Sequence, residues 1–103
     1  MDDNDWIDIK KDAHHVNRER KKAKELRKSN WWKEQVSIGI CYYCNKKIPA
    51  NEITMDHIVP IIRGGKSIKS NCVVCCKNCN NKKKYLTPAE IILKELEDQN
   101  KSN

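Results

Sequence analysis

A chain of 103 residues with 38% hydrophobic residues, no Phe and a net charge of +7 has room for one domain but too little apolar mass for a self-sufficient core. No run approaches the roughly 18 apolar residues that a membrane span requires, which excludes an apolar spanning helix. The charge favours a polyanionic partner, nucleic acid first, over plain solubility.

The opening Met1-Asp2-Asp3-Asn4-Asp5 is acidic and leads into no apolar leader, so the chain reads as cytoplasmic. There thiols stay reduced, and paired cysteines hold metal more often than disulfides. Residues 1–10 give no clear element. Residues 11–30 lack Gly and Pro and are rich in Lys, Arg, Glu and Ala, which predicts a basic helix. Its apolar stripe is thin, only Val16, Ala23 and Leu26, so most of it faces water or phosphate. His14 and His15 read as surface residues of this helix. Trp31 and Trp32 are expected to pin it to the domain; base stacking is the alternative.

Residues 38–50 predict a tight knuckle between two short strands, and 53–62 a β-rich segment broken by Pro60. Residues 63–70 form a glycine-containing basic loop, and 71–75 a short buried strand. A second knuckle at 76–79 leads into a helix starting near Asn80. Thr87-Pro88-Ala89-Glu90 is a capping box with proline at the first helical position, opening a helix to about Glu97. The expected tripartite organisation is a basic helical extension over 1–35, a domain over 36–98 and a frayed tail over 99–103.

Cys41-x-x-Cys44 and Cys76-x-x-Cys79 are two pairs that can each wrap one edge of a tetrahedral ion, together a closed four-thiolate zinc site. Cys72-x-x-Cys75 overlaps the second pair. Its interior Val73 and Val74 suit a strand, whereas Lys77 and Asn78 suit an exposed turn, so Cys72 and Cys75 read as buried strand residues. An iron site would use the same ligands and leave the basic charge and residues 56–83 without a purpose.

Between the knuckles runs Asp56-His57-Ile58-Val59-Pro60, then Gly64-Gly65, Ser67 and Asn71, and after Cys79 come Asn80 and Lys83. This spaced pattern, over about residues 41–84, resembles the HNH endonuclease family in its zinc-bound, Asn-ending branch. The resemblance implies an α+β fold: a small ββα-metal (His-Me finger) domain with two zinc knuckles, here with a basic N-terminal helix and a short C-terminal helix. It implies that His57 is the general base, that Asp56 and Asn80 hold one catalytic divalent metal, and that Asn71 ties the loop so that His57 is held. Oxygen ligands favour a hard ion, Mg²⁺ or Mn²⁺, over Zn²⁺ at that position. The expected products carry 3′-hydroxyl and 5′-phosphate ends.

Arg63, Lys66 and Lys69 on the loop and Lys82, Lys83 and Lys84 on the helix are the candidate nucleic-acid contacts. Lys83, which the family pattern shares, reads as a phosphate contact or a structural anchor. The expected partner is DNA, double-stranded or branched, bound by a monomer that nicks or a homodimer that cuts both strands. A larger protein partner could dock on the N-terminal helix. The competing reading is a catalytically inactive, zinc-stabilised DNA-binding module, which has no need of Asp56, His57 and Asn80 at that spacing.

Overall fold

The computed structural model describes the backbone of residues 3–101 and the side chains of residues 12–99. Helix α1 spans Asp3–Arg27, and α2 spans Asn30–Ile38. Strands β1 (Ile53–His57) and β2 (Cys72–Cys76) form the antiparallel sheet, and α3 (Lys77–Lys83) and α4 (Pro88–Lys101) complete the order. This is a small α+β fold whose β1–β2–α3 unit is consistent with a ββα-metal domain. None of the described helices is long and apolar enough to cross a membrane.

The basic helix extends further towards the N-terminus than expected and stops sooner. Ser29 ends it: its hydroxyl donates to Leu26 O at 2.6 Å and accepts from Trp32 N at 3.2 Å. One side chain thus closes α1 and caps α2. Sequence reading left α2 out, because nine residues with a single i,i+4 apolar pair, Trp32 and Val36, are too short a window to mark a helical period. Gly39 ends α2 at φ 63°, a left-handed turn that suits glycine, with its N–H on Gln35 O.

The first knuckle forms one isolated bridge, Ile40 with Lys47, in place of the two expected strands. Tyr42 N donates to Val74 O at 2.9 Å and ties the knuckle to β2. Strand β1 ends at His57, and Ile61–Arg63 is a single helical turn begun by Pro60, not a continuation of strand. Proline fixes φ and donates no hydrogen bond, so the ladder cannot pass it. Next, Gly65 lies so close to the Val59 carbonyl that any Cβ would collide with it. The loop therefore folds back under the end of β1.

Residues pair across the sheet from Ile53 with Cys76 to His57 with Cys72. Trp32, Cys41, Ile48, Val74 and Cys75 form the buried core, and Trp31 packs against it. That is the packing role expected of the tryptophans. Cys72 and Cys75 are buried on β2 as the sequence implied. Helix α3 begins at Lys77, three residues earlier than expected. The knuckle is itself the first helical turn, capped by the Cys76 sulfur accepting from Cys79 N at 3.4 Å. Thr87 caps α4 as expected, its Oγ1 accepting from Glu90 N at 3.4 Å and donating to Glu90 Oε1 at 3.0 Å, and α4 runs on to Lys101, past the expected fraying point. Ser102 and Asn103, the end of the expected frayed tail, lie outside the described residues.

Candidate active site

The four sulfurs of Cys41, Cys44, Cys76 and Cys79 lie within 4.8 Å of one another, a donor set that could hold zinc. Burial works against ionising Cys41, yet backbone N–H groups of Cys44, Cys76 and Tyr43 bring its thiol down to about 6. Burial pushes Cys72 up to about 11 and Cys75 up to about 12, so these two remain thiols. The second knuckle is Cys76–Cys79, because the sulfurs of these two, and not those of Cys72 and Cys75, join the cluster with Cys41 and Cys44.

Tyr43, inside the first knuckle, connects the cysteine cluster to β1. Its hydroxyl donates to Asp56 Oδ2 at 2.5 Å, and burial followed by this bond raises its pKa, keeping it a phenol. Lys83 approaches the same oxygen at 3.2 Å and donates to His57 O at 2.9 Å. Lys83 is 4% exposed. Of the two roles open to it, the geometry is that of the anchor, and its ammonium is not presented to a surface phosphate.

Side chains alternate along β1, so Thr54 and Asp56 share a face. Helix α3 covers that face, with Asn80 above Thr54 and Lys83 above Asp56. Asn80 Nδ2 donates to Thr54 Oγ1 at 3.3 Å, which leaves its carbonyl oxygen available to a cation. A carboxylate has about four acceptor sites, so Asp56 retains capacity beyond Tyr43 and Lys83. Both offer oxygen donors of the kind a hard ion takes, although Asn80 is not among the residues that line the pocket shared by Asp56 and His57.

His57 ends β1 on the other face. Its Nε2 lies 2.9 Å from Ser67 Oγ. Burial lowers its pKa, opposed by the Asp56 charge and reinforced by Arg27 and Lys83. Asn71 closes the loop between the strands. Its Oδ1 accepts from Val59 N at 2.9 Å, and its Nδ2 donates to Val59 O at 3.1 Å and Lys66 O at 2.9 Å. Ile58 N also donates to Asn71 O at 2.9 Å. Asn71 thus holds the backbone just beyond His57.

Asp56 and His57 open onto one pocket, whose wall includes Arg20 of α1, Ile61 and Tyr85. Sequence reading missed Arg20: one arginine in a run of cations carries no mark until the helix has a phase. It also missed Glu19, 2% exposed, whose Oε1 accepts from Ser67 N at 2.8 Å. His15 was read as a surface residue, but it is half-buried with Nε2 3.0 Å from Gly65 O, while His14 is exposed. The helix phase that buries Glu19 brings His15, one turn earlier, onto the same loop.

The candidate nucleic-acid contacts separate by geometry. Lys66, Lys82 and Lys84 are exposed. Arg63 pairs with Glu90 at 2.6 Å, and Lys69 sits 5.8 Å over the Trp31 ring. Arg63, Lys82, Lys84 and Lys94 border one groove between α3 and α4.

Residues 41–95 match a family model described as HNH endonuclease. Over 71 residues the chain is 32% identical to the type IV methyl-directed restriction enzyme EcoKMcrA of Escherichia coli (strain K12). The alignment covers 63% of this chain and 26% of that relative, so the chain spans about a quarter of the relative's length.

Proposed function

Since the chain belongs to the HNH endonuclease family, we propose that it hydrolyses DNA phosphodiester bonds, with His57 as general base beside one divalent metal held by Asp56 and Asn80. The observation that carries this reading is the pocket shared by Asp56 and His57, with Arg20 in its wall. A module that only bound DNA would have no use for a buried carboxylate and a histidine opening onto the same cavity.

Burial favours the neutral imidazole, so His57 can accept a proton from water at neutral pH. Asn71 fixes the backbone after His57 and limits the ring's movement. Arg20 places a fixed positive charge where the phosphate gains negative charge. Mg²⁺ or Mn²⁺ bound by Asp56 and Asn80 would supply Lewis acidity to the phosphate and to the leaving 3′ oxygen. Lys82 and Lys84, exposed beside the groove, are the phosphate contacts that hold the duplex in register. One site cuts one strand, so a monomer nicks and a homodimer cuts both.

The test is plasmid cleavage by the purified protein with Mg²⁺, Mn²⁺ or EDTA, alongside zinc-loaded His57→Ala. Metal-dependent nicking by the wild type, reduced at least about 100-fold in the variant, is expected from loss of a general base. DNA binding without cleavage under any metal would instead favour the binding module.

A further inference from the structure

Helix α1 contributes more than charge, because it reaches the serine that touches His57. Ser67 is 7% exposed and makes three hydrogen bonds. Its N–H donates to Glu19 Oε1 at 2.8 Å, and its hydroxyl donates to the Glu19 main-chain oxygen at 2.6 Å. Its oxygen also lies 2.9 Å from His57 Nε2. A hydroxyl has one proton to donate. That proton is already committed to Glu19, so in the contact with His57 the hydroxyl accepts and Nε2–H donates. In the neutral ring the lone pair is then on Nδ1, the nitrogen turned away from Ser67.

Accordingly, we propose that Glu19 and Ser67 are positioning residues that fix the tautomer and orientation of His57, so that Nδ1 is the atom that takes the proton from water. The proposal rests on the nuclease reading above for its catalytic consequence, although the tautomer itself does not. Glu19 is suited to the role. Its buried carboxylate is compensated by Lys22 at 3.3 Å and Arg18 at 3.8 Å, and the Ser67 N–H is the largest influence holding its pKa below the usual carboxylate value. The His15 contact to Gly65 O, one helical turn earlier, gives α1 a second grip on the same loop. A carboxylate serving only to dock the helix would need the Ser67 N–H alone. The hydroxyl bridge to His57 is the part that docking leaves unexplained.

Ser67→Ala tests the bridge, because it removes the hydroxyl and keeps the backbone N–H that Glu19 accepts. Two readouts are needed on zinc-loaded protein: kcat and KM for nicking, and nitrogen-proton NMR of the His57 ring at alkaline pH. The expected wild-type spectrum has the proton on Nε2, protected from exchange. In Ser67→Ala the protection should be lost and kcat should fall roughly 10- to 100-fold with KM little changed, the scale of a misplaced catalytic group. A wild-type proton on Nδ1 overturns the proposal, as does an unchanged kcat in the variant. A lowered kcat with Nε2–H protection intact also overturns it, because the hydroxyl would then act by another route. If the wild type cuts no DNA with any metal, the nuclease reading falls, and the wild-type spectrum still judges the tautomer.

Discussion

Lys83 illustrates how a residue can belong to a pattern and still conceal its task. The sequence singled it out of three consecutive lysines by the family pattern but left two roles open, phosphate contact or structural anchor. Only the phase of α3 separates it from Lys82 and Lys84, which stay exposed while it reaches Asp56. Both members of the pair are nearly removed from water, at 3% and 6% side-chain exposure. Removing one partner of a buried pair leaves the other uncompensated, at a cost of about 3–5 kcal/mol. Lys83→Met should lower unfolding stability on that scale in a urea titration. Lys82→Ala combined with Lys84→Ala should change stability by less than about 1 kcal/mol and flatten the salt dependence of DNA binding. Equal stability of wild type and Lys83→Met would remove the anchor role. Asn71 was easier to foresee, since its place in the spaced pattern implied the loop tie it makes. Glu19 was not legible: a glutamate among lysines reads as solvated, and its partner lies 48 positions away in the chain.

At the scale of elements, the two knuckles were readable because the cysteine spacing is itself a geometric constraint. The capping box was readable for the same reason, as a local hydrogen-bond pattern in four consecutive residues. Helix α2 was not, because its apolar pattern is too short to show a period, and the turn over Ile61–Arg63 was not, because the fold-back at Gly65 depends on the Val59 carbonyl opposite it. The choice among overlapping cysteines yields a direct test. Cys76→Ser should reduce bound zinc below one per chain and unfold the domain, since a four-thiolate zinc contributes on the order of 10–16 kcal/mol. Cys72→Ser should keep its zinc and lose about 1–3 kcal/mol, the scale of placing a polar hydroxyl in a buried strand. Thermal melting together with zinc analysis of both variants measures each effect. Equal zinc loss in the two would reverse the assignment of the second knuckle.

The whole molecule is extended for its length. Its radius of gyration is 16.1 Å, against about 13 Å for a compact chain of this size. Sparse hydrophobicity and +7 charge foretold a thin core, and the buried cluster of Trp32, Cys41, Ile48, Val74 and Cys75 shares Cys41 with the four-cysteine cluster that could hold zinc. They did not foretell that α1 would cross to the loop that carries Gly65 and Ser67, because the amphipathic signal was only Val16, Ala23 and Leu26. That crossing gives the molecule a partial opening that stops short of melting. Helix α1 is held through the narrow stripe of His15, Glu19 and Ala23, with most of its other described side chains exposed. Sparsely packed elements open locally at lower free energy than the core to which they attach. When α1 lifts, Ser67 loses Glu19 while the knuckles and the sheet keep their own bonds. Amide exchange over residues 12–27 should be at least about tenfold faster than over β2, and on warming, cleavage should fail before the zinc core unfolds. Exchange in α1 as slow as in β2 would mean that the helix and the core open only together. On the nuclease reading proposed above, the fraction of molecules able to cut would then follow how often one helix is seated, an equilibrium separate from the stability of the fold.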